Sequence, residues 1–324
     1  MSLKRYLLKK AVYIMVSIYV IMTLNFIVFR VMPSNPVLML ADAVRLRPEQ
    51  YQRLVELFGL NKPLWDQYWA YIIQTLQGFF GYSYYTHNPI SYEIMDRLPN
   101  TLLLMGVSTM LAIIIGMVIG IVAAAKRGSA TDVTATAFGF LGYSVPTFWL
   151  GMIFLMVFGV GLKWFPLRGT VSVPPPTEPL AIVFDTIWHL ALPCLTLLII
   201  QFGGFALVMR ASLIDVLTED YILTARAKGL DERTVLYKHA LRNALLPMVT
   251  LIALSLGFIL TGAVLTETVY SWHGLGTFVW LSIQRYDYPA LQGVFFVISV
   301  MVVLANFIAD IIYGVLDPRI RHYD

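Results

Sequence analysis

Six stretches of this chain run for about 20 residues or more with almost no charge, long enough for a helix to cross a hydrocarbon core of about 30 Å. They cover residues 11–32, 101–125, 133–162, 187–209, 247–266 and 290–315. Hydrocarbon offers no partner to backbone N–H and C=O groups, so each stretch is predicted to be a helix that satisfies its own. The alternation expected of a membrane β-barrel is absent. With 58% hydrophobic and only 13% charged residues, a water-soluble fold is excluded as well. The predicted class is all-α: a polytopic membrane protein with six transmembrane helices and a small external helical subdomain.

Lys and Arg mark the cytoplasmic side of a membrane protein. Here they crowd the N-terminus (Lys4, Arg5, Lys9, Lys10), Lys126 and Arg127, the stretch 210–242, and Arg319 with Arg321. Both termini are therefore predicted to be cytoplasmic, with residues 33–99, 163–186 and 267–289 outside. The first apolar run is too long for a signal peptide and lacks a small-residue cleavage site, so it reads as a retained span. The formal charge of +4 follows from this inside bias, not from a nucleic-acid surface. Cys194 is the only cysteine, which permits no internal disulfide.

The organisation that follows is a first span with its N-terminal tail (1–32), an extracytoplasmic segment (33–99), a permease core (100–315) and a C-terminal tail (316–324). Within the external segment, Pro48 suits a first helical position, and Tyr51, Leu54, Val55 and Phe58 follow at helical spacing before Gly59. A second helix is predicted from Pro63, carrying Trp65, Tyr68, Trp69 and Tyr71, aromatics that favour a membrane boundary. It either contacts a binding protein or rests on the outer ends of the spans. Gly78 to Tyr82 then mark a turn before re-entry near Leu98 to Thr101. The prolines at 174, 175, 176 and 179 predict an extended segment over 169–185.

Between the fourth and fifth stretches lies a polar segment, 211–246. Residues 221–228 are good helix material, Gly229 is suited to a left-handed stop, and Asp231 can cap a second helix over 232–245. That second helix sets Val235, Leu236, Ala240, Leu241 and Ala244 beside Arg233, Lys238, His239 and Arg242. Pattern alone allows docking to a protein groove or to anionic headgroups.

The run ARAKGLDERTVLYKHALRNALLP at 225–247 closely resembles the coupling-loop motif of dipeptide and oligopeptide permeases, membrane subunits of type I ATP-binding-cassette importers with the MetI-like fold. GLNKPLWDQY (59–68), AAKRGSATD (124–132), GYSVPTFWLG (142–151), LTETVYSWHGLG (265–276), RYDYPALQG (285–293) and YGVLDPRIRH (313–322) resemble the same family in order. Two places depart from it. Leu223, Thr224 and Ala225 replace the Glu-Ala-Ala opening of the broader importer motif, and Gly78, Phe79, Phe80 and Gly81 replace an external Gly-Asp-Leu-Gly block.

The resemblance implies a non-catalytic permease subunit that pairs with a second homologous permease, two cytoplasmic ATPases and an extracytoplasmic substrate-binding protein, in the plasma (inner) membrane of a prokaryote. It implies no cofactor in this chain, since ATP and Mg bind the partner ATPases. Consistently, the sequence contains no G-x-x-x-x-G-K-[ST] phosphate cradle. ATPase coupling falls by motif match to Ala225, Ala227, Lys228, Gly229, Leu230, Asp231 and Arg233, with His239, Arg242 and Asn243 in support. Small residues there would permit close approach of the partner.

Polar residues in the spans, Glu267, Asn306 and Asp310, either line the pathway or make interhelical hydrogen bonds. Tyr143, Ser144 and Phe148 surround Pro146 in a predicted kink and are further pathway or gate candidates. Gly116 and Gly120 suggest close helix packing. Relatives carry di- and oligopeptides, but members of the group also carry oligosaccharides or nickel. The rival classes are a proton-coupled transporter titrating Glu267 or Asp310, and an intramembrane enzyme. For the latter, His87, His189, His239, His273 and His322 are scattered and predict no metal site.

Overall fold

A computed structural model describes residues 3–31, 61–259 and 263–316, together with positions 47, 49, 52, 55 and 56. Among the described residues the ordered elements are helices, and the only strand-like feature is an isolated bridge between Tyr82 and Pro89. The predicted helix after Pro48 lies almost wholly outside these residues, as does the tail after Leu316. Helix α1 is Leu3–Phe26, widening into π-helical turns at Ile27–Val31. The helices that follow are α2 (Leu64–Leu76), α3 (Ile90–Ala125), α4 (Ala130–Ser144) and α5 (Thr147–Phe154), the last with a π-helical continuation at Leu155–Gly161. Next come α6 (Pro179–Leu217) and α7 (Asp220–Ala227), and then a turn Glu232–Thr234 that runs through π-helical Val235–Ala240 into α8 (Leu241–Ile259). The chain ends with α9 (Val264–Val269), α10 (Leu275–Gln284) and α11 (Tyr288–Leu316).

Among the described residues, four helical stretches are long and apolar enough to cross a membrane: Lys9–Arg30, Ile90–Ala125, Pro179–Leu217 and Tyr288–Ile308. The pair Ala130–Ser144 and Thr147–Gly161 is a fifth candidate, bent by 100°. The bend falls at Pro146, where the sequence predicts a kink: proline cannot donate to the preceding turn, and Val145 before it is held extended. The remaining predicted stretch, 247–266, is helical to Ile259 within the described residues, and Val264–Val269 is a separate short helix.

Several boundaries differ from expectation, chiefly because charges that mark a span end in the sequence are paired in the structure. Helix α3 starts at Ile90, not near Leu98, because Ile90 and Ile94 are buried and Glu93 pairs with Arg97 one turn on. Helix α6 starts at Pro179, so the extended segment ends at Glu178; proline fits a first turn, where its missing N–H is no loss. Farther along α6, Asp185 accepts from the N–H (2.7 Å) and hydroxyl (2.6 Å) of Ser172, and Arg210 pairs with Asp132.

Two compact units divide the chain, 1–101 with 273–324, and 102–272. In the first, Phe26 and Met22 of α1 pack with Tyr68 and Ile72 of α2 and Phe296 of α11, while Ile90, Ile94, Phe278, Leu291 and Val294 form a second core. The Tyr68 phenol meets Thr23 at 2.8 Å, and Arg30 donates to Gln67 at 2.9 Å, so α2 rests on the end of α1. The turn Gly78 to Tyr82 is present, with Gly78 and Gly81 at φ +77° and +84°. Asp287, almost fully buried, accepts from the Ser83 hydroxyl and from the N–H groups of Tyr84 (3.1 Å) and Ala290 (3.3 Å), pinning this turn region to the start of α11.

In the second unit, α3 and α4 pack on α6 through glycine. A Cβ on Gly116 would lie 2.6 Å from the Phe202 carbonyl oxygen, and one on Gly120 2.5 Å from that of Ala206, so no side chain fits. This is the packing role predicted for the pair. The same device recurs where Gly139 of α4 meets Gly203 of α6.

Candidate functional site

The polar segment is not a loop with two free helices. Helix α6 runs down to Leu217, and the helical path from Glu232 continues unbroken through Pro247 to Ile259, so what projects is the hairpin of α7 and the turn after it. Helix α7 buries Ile222 and Ala225 at i, i+3 spacing, one face of the helix. They meet Val235, Ala240, Ala244 and Met248 from the following helical path and Met209 and Leu213 from α6 in one apolar core. The Ser212 hydroxyl adds a bond to the Ala244 carbonyl at 2.8 Å.

On this pedestal the turn is formed by backbone chemistry. Lys228 closes α7, Gly229 takes φ +77°, and the Asp231 carboxylate caps the next turn by accepting the Thr234 N–H at 3.1 Å. Hydrogen bonding from Thr234, side chain and backbone, holds the Asp231 carboxyl below the usual carboxylate range. A Cβ on Gly229 would meet nothing within 4 Å: glycine is needed for its φ, and the space above it is open.

Of the predicted coupling residues, Ala227, Lys228, Gly229, Leu230, Asp231 and Arg233 stand exposed around the turn, as do Arg242 and Asn243 on the first turn of α8. His239 is half-buried. Ala225 is only 6% exposed, so in this chain its small side chain serves the internal core. Two braces escape a motif-based reading. Arg226 holds Glu232 across the turn through Nε (2.9 Å) and Nη2 (3.2 Å), and Tyr221 accepts from Asn243 Nδ2 at 2.7 Å. Neither pair has helical spacing, and only the folded hairpin brings its members together.

The pathway candidates fall in different places. Tyr143 (75% exposed), Ser144 and Phe148 surround the 100° bend, with the Ser144 hydroxyl returned to the Phe140 carbonyl at 2.8 Å. Glu267 sits in α9 and is fully buried; its carbonyl accepts the Trp272 N–H at 2.8 Å. Tyr270, not singled out by the sequence, ties α9 to its neighbours. Its phenol oxygen lies 2.8 Å from Thr196 Oγ1 on α6 and 3.2 Å from the Gly151 carbonyl on α5. Asn306 is exposed on α11 in the first unit, and the side chain of Asp310 lies outside the described residues.

The chain matches the family described as binding-protein-dependent transport system inner membrane component over residues 116–322, and the N-terminal part described for such membrane components over residues 3–105. It is 39% identical over 316 residues to the dipeptide transport system permease protein DppB of Escherichia coli (strain K12), covering 92% of this chain and 93% of that protein. It is 40% identical over 301 residues to the oligopeptide transport system permease protein AppB of Bacillus subtilis (strain 168), with 92% and 93% covered. The glutathione transport system permease protein GsiC of Escherichia coli (strain K12) is 36% identical over 321 residues, with 98% and 99% covered.

Proposed function

Since this chain belongs to the family of binding-protein-dependent transport system inner membrane components, we propose that it is a permease subunit of an ATP-binding-cassette importer that carries di- and oligopeptides across a prokaryotic plasma (inner) membrane. Transport of dipeptides, oligopeptides and glutathione by the relatives supports a short-peptide cargo. The chain supplies half of the pathway, a homologous permease the other half, and a binding protein delivers the solute. ATP and Mg are bound by two partner ATPases. Six spans are read from the four long helices, the bent pair and α8, with both termini and the α7 hairpin in the cytoplasm and residues 33–99 outside.

The observation that carries this reading is the exposed turn on its buried pedestal. Open space over Gly229 admits a partner surface close to the backbone. Leu230, 38% exposed, is the apolar contact, and Lys228 orients the approach. Movement of the partner is passed through Ile222 and Val235, both fully buried, to α6 and α8. Tyr143, Ser144 and Phe148 at the bend are proposed to face the pathway, while buried Glu267 acts as a packing element beside it.

The test is uptake of a labelled dipeptide into proteoliposomes that hold the chain with its partner permease and ATPases, with binding protein added outside. Uptake is expected only with ATP inside, and it should persist when an ionophore removes the proton gradient. Uptake that follows the gradient and ignores ATP would sink the importer reading in favour of proton coupling.

A further inference from the structure

Helices α3 and α6 are both membrane-crossing candidates, and their ends border one groove of about 470 Å³. Its walls are of two kinds. Leu217 and Leu236 give an apolar floor with Tyr237 at its edge, and Arg127, Arg226 and Arg233 stand around it with a single acid, Glu232. Arg226 is already held by Glu232 through two bonds. Asp132, the carboxylate nearest Arg127 in sequence, has its oxygens occupied by Arg210 and by the Gly128 N–H. Arg127 is drawn electrostatically to the Asp132 carboxylate without forming an ion pair with it, and the guanidinium of Arg233 has no hydrogen bond or ion pair among the described residues.

We propose that this groove binds the headgroup of an anionic phospholipid, with its phosphate on Arg127 and Arg233. Basic pockets between the ends of membrane helices on the cytoplasmic side suit such headgroups. What favours lipid over an acidic segment of a partner protein is the path leading away from the groove. Ala125 lines it, and Val122 and Val118 precede Ala125 on the same face of α3 at i, i+4 and i+7 spacing. Val118 is 55% and Val122 40% exposed, so an acyl chain leaving the groove meets a continuous apolar stripe along a spanning helix. A water-soluble peptide has no use for that stripe. The proposal goes beyond the importer reading and rests on it only for the cytoplasmic placement of the α3, α6 and hairpin groove.

The experiment is native mass spectrometry of the chain, purified with its partner subunits from nanodiscs of equal phosphatidylglycerol and phosphatidylcholine. Retained phosphatidylglycerol should exceed phosphatidylcholine in the wild type. At about fivefold per arginine, from about 1 kcal/mol each near a surface, the preference should fall about fivefold in Arg127→Gln and about 25-fold in the Arg127→Gln/Arg233→Gln pair. Equal retention of the two lipids, or an unchanged preference in the pair, overturns the proposal. Displacement of the bound lipid by millimolar inorganic phosphate alone also overturns it and leaves a simple anion site. A photo-crosslinker at Tyr237 provides the last arm: capture of phospholipid supports the proposal, and capture of an ATPase subunit in its place refutes it.

Discussion

Asn243 of α8 donates a 2.7 Å hydrogen bond to the phenol oxygen of Tyr221 on α7, closing the hairpin on the side away from its apolar core. A single hydrogen bond is worth about 1 kcal/mol net, too little to decide whether the chain folds. Tyr221→Phe is therefore expected to insert and assemble normally, with a melting temperature in detergent lowered by no more than about 4 °C. If the hairpin transmits motion as a rigid piece, peptide uptake per ATP hydrolysed should fall several-fold. An unchanged ratio would show that this brace is dispensable.

Gly229 separates backbone need from surface need. At φ +77° an alanine costs about 1–2 kcal/mol, whereas asparagine tolerates the left-handed region better. Gly229→Asn should keep the turn and lose part of the activity. Gly229→Asp, placing charge in the open space above the turn, should abolish uptake while membrane insertion stays intact. Wild-type uptake by Gly229→Asp would remove the coupling assignment.

The Asp231 cap makes the hairpin sensitive to acid. Its folded pKa lies below the unfolded value, so its contribution is fully present above about pH 4 and is lost as pH falls through the folded pKa. Asp231→Asn, which keeps an acceptor for the Thr234 N–H, should protect the 226–234 peptide from acid-dependent gains in hydrogen exchange. Asp231→Ala should exchange quickly at every pH. Equal profiles for all three chains would show that the cap does not set this stability.

Asp132 and Arg210 join α4 to α6 through two bonds, with the acid buried and the arginine 28% exposed. Leaving either charge without its partner is expected to cost about 1–3 kcal/mol, below the range for a fully buried pair because water reaches Arg210. Asp132→Asn with Arg210→Gln should cost less than the sum of the single variants in a detergent unfolding cycle. Additive losses would mean that the pair is not coupled.

Where Gly203 meets Gly139, a methyl group has no room. Gly203→Ala is expected to force α4 and α6 apart and to destabilise the second unit by about 1–3 kcal/mol. The check is thermal unfolding in detergent, with Gly204→Ala as the control, because a Cβ there meets nothing within 4 Å. Equal stability in the two variants would rule out the close-packing role.

Membrane helices were legible because hydrocarbon imposes one rule on every span, and the kink at Pro146 was legible because proline breaks that rule at a known place. The helix ends were not. Glu93, Asp185 and Arg210 look like limits in the sequence, yet each finds a partner and the helix runs on. At the hairpin turn, Gly229 and Asp231 declare themselves through backbone chemistry. Whether Ala225 faces a partner or the core depends on Ile222 and Val235 meeting across the hairpin, and Tyr270 reaches Thr196 and Gly151 from a distant part of the chain. Neither is readable from local pattern.

The unbroken helical path from Glu232 to Ile259 changes what a push at the turn can do. A flexible loop would dissipate the displacement, but a helix of this length is a lever about 40 Å long, comparable to the thickness of a whole bilayer. Its wide π-helical turns at Val235–Ala240 lie next to the hairpin end. Were the proposed partner to tilt that end slightly, the lever would gear the tilt into a larger sweep at its far end.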